Sequence, residues 1–186
     1  MAIISLIINL AFGFYNLYLG VSHNSMWFKC ICAYYLLLGI LRFICVLGER
    51  KAVRKTLISK SVGALLFILG IILCFINFVS LSSNIAISYG TIPMITIATY
   101  TFYKITLAVI RAINIKKSSS AIFKAISVIG FSELSVSVVS MQRSMIVSFG
   151  NMDNYDALIM NTFTGTAAFI FIVAMGIILL KGERNG

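Results

Sequence analysis

Six apolar stretches run through this chain, from Ala2 to Val21, Met26 to Leu47, Ser61 to Leu81, Thr91 to Ala112, Ala121 to Gln142 and Ala157 to Leu180. A bilayer crossing takes about 20 apolar residues at ~1.5 Å each, and every stretch fits that ruler. In hydrocarbon each backbone N–H and C=O has to be satisfied internally. Long uninterrupted apolar runs, rather than alternating runs of about ten residues, therefore select helices over a barrel. With 60% hydrophobic and 11% charged residues, the chain has too little polar surface to coat a soluble globule. The expectation is an all-α polytopic membrane protein: residues 1–186 as a single transmembrane domain built from a bundle of six transmembrane helices.

Punctuation sets the boundaries. Ser22-His23-Asn24-Ser25 reads as a turn, Gly48-Glu49-Arg50-Lys51 as a charged connection, Tyr89-Gly90-Thr91-Ile92-Pro93 as a helix opening and Gly150-Asn151 as the start of a polar loop. Residues Ser144 to Phe149 either extend the fifth helix at a tilt or lie in the interface.

Orientation follows from the cations, because Lys and Arg beside a crossing resist translocation. Arg50, Lys51, Arg54, Lys55 and Lys60 lie between the second and third crossings. Lys116 and Lys117, flanked by Arg111 and Lys124, lie between the fourth and fifth, and Lys181 and Arg184 follow the sixth. The other face has His23 with Lys29 nearby, an uncharged loop from Ser82 to Gly90, and Arg143 against Asp153 and Asp156. Both termini are then cytoplasmic, and Trp27, Phe28 and Tyr89 suit an aromatic belt at the outer interface. The N-terminus lacks a basic n-region and a cleavage site, so the first crossing is expected in the mature protein. The net charge of +10 belongs mostly to this topology signal, and nucleic acid is not an expected partner.

Cys30, Cys32, Cys45 and Cys74 fall inside crossings and read as small apolar fillers. The one-residue spacer of Cys30-Ile31-Cys32 puts the two side chains on different sides of a helix, with no His to complete a tetrahedral zinc site. Asn151, Asp153, Asn154 and Asp156 lack the ligand pattern and glycine of an EF-hand and read as a solvated turn. No cofactor and no metal are expected. His23 is the sole histidine, and the five carboxylates do not cluster. Without a Ser/His pairing, a His-Glu-x-x-His run or a phosphate-cradling glycine loop, the chain is not expected to be an enzyme.

Lipid gives helices no hydrophobic reason to associate, so small and polar side chains mark the faces that touch. Ser5, Asn9, Gly13, Asn16 and Gly20 recur at spacings of four or three and form one stripe. Gly63, Gly70 and Asn77 do the same in the third crossing, Asn161, Gly165, Ala168 and Gly176 in the sixth, and Cys32, Tyr35, Gly39 and Arg42 in the second. Close packing explains such stripes, and lining a ligand cavity is their other use.

The sharpest chemistry is a pair of opposite charges, Lys104 and Glu133, both well inside the hydrocarbon. Counted from Arg111 and Lys124, their depths differ by about 3 Å at ~1.5 Å per residue, so they meet if the fourth and fifth crossings are neighbours. A lone charge near the bilayer centre costs at least ~2.5 to 3.5 kcal/mol, which partnering has to offset. Thr96, Tyr100, Lys104 and Arg111, with Thr101 close by, share one side of the fourth crossing. Gly130, Glu133, Ser137 and Ser140 share one side of the fifth. A small polar chamber between these two helices is the candidate substrate or ion site: Lys104, Glu133, Tyr100, Thr101, Ser137 and Ser140. The competing reading is a structural ion pair, with the serines bonding to their own backbone.

Tyr34 precedes Arg42 by eight positions and Tyr103 precedes Arg111 by eight. This reads as tyrosine packing plus arginines snorkelling to the inner interface, or as a worn duplication of a two-helix unit. Gly48 to Lys60 has the pattern of a short surface helix, and Arg50, Lys51, Arg54 and Lys55 are candidates for binding anionic lipid headgroups or a soluble partner. The plainer reading is that these cations only fix topology.

The runs Tyr15-Asn16-Leu17-Tyr18-Leu19-Gly20, Tyr34-Tyr35-Leu36-Leu37-Leu38-Gly39-Ile40-Leu41-Arg42-Phe43 and Thr101-Phe102-Tyr103-Lys104 resemble uncharacterised small six-helix integral membrane proteins of low-GC Gram-positive bacteria. The resemblance implies a multi-pass protein of the bacterial plasma membrane and carries no activity with it. Substrate-capture subunits of energy-coupling-factor transporters are similar in length and helix count, but their Ala-x-x-x-Ala motif is absent from the first helix here. The expectation is a small transporter or the membrane subunit of a transport complex. Its expected partners are membrane lipids and a second copy of the chain or a partner transport subunit. The alternative is a noncatalytic adaptor or regulator that binds partner helices or anionic lipids.

Overall fold

The apolar runs become helices throughout the computed structural model, which describes residues 2–50, 55–82, 90–115, 120–149 and 153–181. The helices are α1 (Ala2–Ser22), α2 (Met26–Arg50), α3 (Lys55–Ser82), α4 (Thr91–Ile115), α5 (Ala121–Phe149) and α6 (Asn154–Lys181). They range from 21 to 29 residues, or about 31 to 43 Å at ~1.5 Å per residue. All six are long and apolar enough to cross a membrane.

Several helices exceed the expected crossings. α3 starts at Lys55 rather than Ser61, α6 at Asn154 rather than Ala157, and α4 runs to Ile115. Ser144 to Phe149 extends α5 as continuous helix. The Gly48 to Lys60 segment is not a separate surface helix in its described parts: Gly48 to Arg50 finishes α2 and Lys55 to Lys60 opens α3. Lys51, Arg54, Tyr89, Lys116, Lys117, Asn151 and Arg184 lie outside the described residues, and Arg50 and Lys55 are described as helix backbone only.

The turn between α1 and α2 shows local sequence chemistry at work. Asn24 takes φ 46°, a left-handed conformation that asparagine tolerates better than most residues. The amides of His23 and Ser25 then return to the carbonyls of Leu19 and Gly20, each at 3.0 Å. A Cβ at Gly20 would lie 3.0 Å from the Lys29 backbone nitrogen, so the glycine lets α1 and α2 close on each other at this turn. At the other reversal Gly90 has φ 75°, and Pro93 sits in the first turn of α4, where its missing N–H leaves no bond unmade.

The main helix pairs are α1 with α2, α3 with α6, and α4 with α5. α5 runs through the middle, touching α2, α3, α4 and α6. The outer faces are apolar: Ile4, Phe14 and Tyr18 on α1, Phe75 and Phe78 on α3, and Phe163 and Ile170 on α6 are all exposed. Every member of the α1 stripe is buried.

Trp27 and Phe28 correct the aromatic-belt expectation. Both are buried, and the Arg143 guanidinium stacks 4.5 Å from the Trp27 ring centre. Only a helix face turned to lipid supplies belt positions, and the start of α2 turns these rings toward the bundle.

Candidate functional site

Four of the six helices send polar side chains to one place. Lys104 on α4 and Glu133 on α5 meet at 2.7 Å, and both side chains are fully buried. The carboxylate also takes a second cation. Nη2 of Arg42, from α2, donates to the same Oε2 at 3.0 Å, again with no exposure on either side. Asn9 of α1 donates its amide to the other oxygen, Oε1. Glu133 is thus clamped by donors from α1, α2 and α4.

Asn9 works in both directions. While its nitrogen serves Glu133, its Oδ1 accepts from Lys104 Nζ and from the Tyr100 hydroxyl, the latter at 3.0 Å. On the other side of Glu133, Arg42 Nη1 donates to Ser5 Oγ, which also accepts from Arg111 Nη2 at 3.2 Å. The result is one connected line, Arg111 to Ser5 to Arg42 to Glu133 to Lys104 to Asn9 to Tyr100.

That line has two different ends. Ser5 is near the start of α1 and Arg111 is four residues from the end of α4, while Arg42 lies eight residues before the end of α2, and the basic connections follow those two helices. At the far end three rings from three helices close over the line. Phe12 stacks on Tyr100 with centroids 3.6 Å apart and planes 3° from parallel, and Tyr35 stands edge-on to both at 5.3 and 5.8 Å. The two edge-on contacts each add about 0.5–1.5 kcal/mol beyond area burial. Lys104 Nζ lies 5.1 Å from the Tyr100 ring centre and gains a cation–π contact. The Tyr35 hydroxyl is 3.5 Å from the Glu133 carbonyl oxygen.

The charges do not balance. Arg42, Lys104 and Arg111 are three cations on a network with one carboxylate. Arg42 Nε and Arg111 Nη1 are buried with no hydrogen-bond partner among the described residues. Gly130 of α5 makes room for the second guanidinium, since a Cβ there would fall 1.8 Å from Arg111 Nη1.

The six residues singled out from the sequence divide into two groups and one residue apart. Lys104, Glu133 and Tyr100 belong to the line. Thr101 and Ser137 instead clasp α4 to α5, with Thr101 Oγ1 directed to the carbonyls of Ile97 at 2.8 Å and Ser137 at 3.1 Å, and Ser137 Oγ bonded to Leu134 O at 2.9 Å. Ser140 Oγ is buried without a partner among the described residues. Thr96, Ser127, Ser132 and Ser135 satisfy themselves on the carbonyl four residues back.

The site is therefore not confined to α4 and α5. Ser5, Asn9, Tyr35, Arg42, Arg111 and Gly130 join it, and for most of them a signal existed in the inward stripes of the first and second crossings. The snorkelling reading of Arg42 is overturned: its side chain is wholly buried and paired to Glu133. The α2 helix continues to Arg50, which leaves Arg42 about 12 Å from the helix end at ~1.5 Å per residue, too deep for its head to reach water along the helix.

Among the described residues no three His, Cys, Asp or Glu side chains gather as a metal site. Cys32 and Cys45 are buried, Cys30 is half-buried and Cys74 is exposed, all as free thiols. Asp153 precedes α6 and accepts the Ala157 amide on its carbonyl at 3.1 Å, while Asp156 sits in the first turn, where negative charge suits the helix dipole. No protein-family model, curated protein or solved structure matches this chain.

Proposed function

We propose that this chain is a small multi-pass transport protein, or the membrane subunit of a transport complex, and that the buried charge line is its working site. The observation that carries the reading is one carboxylate, fully enclosed, holding cations from two other helices while a third cation joins the same network. Ionisable groups are expensive in hydrocarbon and mark substrate, ion or proton pathways. A structural bolt needs no such set, because closely packed small residues join helices without ionised groups, as Gly63 and Gly176 do between α3 and α6.

The asymmetry of the line supports the same reading. It starts near the helix ends that lead into the basic connections and stops at the ring trio of Phe12, Tyr35 and Tyr100. In an alternating-access cycle the rings are the closed side. Movement of α1 against α4 then parts Phe12 from Tyr100 and Asn9 from Lys104. Glu133 is the group that releases its cations to a substrate or takes up a proton as they leave. The cation bias supports cytoplasmic basic connections and termini, and the resemblance to small Gram-positive membrane proteins favours the bacterial plasma membrane.

The adaptor reading relies on small-residue faces being available to partner helices. Those faces are occupied internally: Gly63 packs on Gly176 and Leu180, Gly70 on Val173, Gly165 on Asn77 and Gly13 on Tyr35. Only the basic connections are left to support it.

Purified wild type and Glu133→Gln, both checked for monodispersity, are compared for thermal stabilisation by a panel of solutes and then for solute and proton movement in liposomes with a trapped pH dye. The expected result is a solute that stabilises and moves through wild type but does neither with the folded variant. If no solute shifts or crosses wild type, and the variant is merely less stable, the cluster is a structural bolt and the proposal fails.

A further inference from the structure

The surplus of positive charge on the buried line has a definite location. Near the Lys104 end the cation is matched by Glu133 and Asn9 and covered by the Tyr100 ring. Toward the other end Arg42 and Arg111 both donate to Ser5, a neutral hydroxyl, while Arg42 Nε and Arg111 Nη1 have no acceptor among the described residues. The two guanidinium groups share one neutral hydroxyl, and of the two only Arg42 pairs directly with Glu133. With Glu133 as the sole carboxylate on the line, three cations leave two charges over.

We infer that Arg42, Arg111 and Ser5 form an anion site for a phosphate-type oxyanion, with Glu133 as the built-in counter-ion that keeps Arg42 and Lys104 in place when the site is empty. Planar guanidinium forks match the oxygens of phosphate, and two of them with a hydroxyl supply enough donors for three oxygens. The surplus of two matches a doubly charged free phosphate, whereas a carboxylate or the singly charged phosphodiester of a lipid headgroup neutralises half of it. Gly130 is the enabling residue on α5, because any side chain there would occupy the place of Arg111 Nη1. Arg111 is the half-buried member, some four residues from the end of α4, and is the natural point of entry. The oxyanion is either free phosphate or the phosphate of an anionic lipid headgroup lying at the helix ends. The inference gives a ligand class to the transport site proposed above, and binding is measured separately from transport, so that either idea fails without the other.

The test uses the full chain in nanodiscs of phosphatidylcholine. Thermal stability is titrated with inorganic phosphate, with chloride and acetate at equal ionic strength as controls. In a second arm the discs contain phosphatidylglycerol and the retained lipid is read by native mass spectrometry. Wild type, Arg111→Gln, Arg111→Lys and Gly130→Ala are compared; none touches the Glu133 ion pairs, and alanine is a better helix former than glycine. Loss of a charge-assisted bond predicts at least about a tenfold weaker response in R111Q and G130A, with R111K in between. A response to phosphate in neutral discs identifies a free anion. A response confined to phosphatidylglycerol, with the same order of variants, identifies a headgroup. If neither probe acts on wild type, or R111Q and G130A respond as wild type does, the site is not an anion site.

Discussion

The seam between α3 and α6 and the junction of α1, α2, α4 and α5 solve the same problem by opposite means. Both must hold helices together in a medium that offers no hydrophobic drive. The seam removes side chains: Gly63 and Gly176 face each other so closely that a Cβ on either would fall 3.1 to 3.2 Å from the other's carbonyl oxygen. Backbones approach, and dispersion and weak polar contacts follow. The junction instead inserts four ionisable side chains and three rings. The seam shows that this sequence can join helices cheaply, so the charges at the junction call for a reason beyond adhesion. Three cations set against one carboxylate, two of them with guanidinium nitrogens that have no acceptor among the described residues, supply one.

The comparison breaks first at Glu133. Removing its charge leaves three cations without an anion, and breaking one partner of a buried pair costs about 3–5 kcal/mol. Lys104→Met removes a cation from a line that has two to spare, and Arg42 still holds Glu133 at 3.0 Å. Glu133→Gln is therefore expected to be markedly more destabilising than Lys104→Met in reversible unfolding in mixed micelles. Equal losses would mean that Lys104 and Glu133 act as an isolated pair and that Arg42 is irrelevant to them.

Next in size is a change to the seam. A Cβ at Gly165 would fall 2.5 Å from Asn77 Oδ1, and the amide, which donates to Leu73 O at 3.1 Å, has to move. Overpacking of this kind costs about 1–3 kcal/mol, of which better helix propensity returns about 1 kcal/mol. Gly165→Ala should thus lose about 1 kcal/mol, and adding Asn77→Ala should recover it, with no effect on ligand response. A seam variant that altered the ligand response would show that α3 and α6 belong to the working part of the molecule.

The seam was also the more legible of the two regions. Gly63, Gly70 and Asn77, and Gly165, Ala168 and Gly176, stand out because few physical reasons put small residues at helical spacing in lipid. Six apolar helices follow from length alone, and Lys104 and Glu133 follow from the expense of burying either by itself. Which helices gather around that pair is a different kind of information. It depends on pairing between segments up to 124 positions apart, as with Asn9 and Glu133. Arg42 departs from the expectation because a cation near the end of an apolar run ordinarily reaches for water, whereas it stands about two turns before the end of α2 with its side chain turned into the bundle. Trp27 was misread for the reverse reason: its position along the axis suits an interface, but its angle around the axis faces the bundle.

The smallest expected effect is at the ring trio. Tyr100→Phe keeps the stack on Phe12 and removes one hydroxyl, and Asn9 Oδ1 is still bonded by Lys104. An ordinary hydrogen bond contributes about 0.5–1.5 kcal/mol, and the surviving Lys104 bond argues for the lower part of that range. Ser127→Ala, whose hydroxyl bonds the Phe123 carbonyl of its own helix at 2.8 Å, is the matched control and should change stability less still. Function should separate the two. If the rings are the closed side of a pathway, Tyr100→Phe unties the gate from Asn9 and raises the basal leak of the solute through liposomes, while Ser127→Ala leaves it unchanged. A Tyr100→Phe protein as tight as wild type would return the trio to the same category as the seam, packing without a gating role.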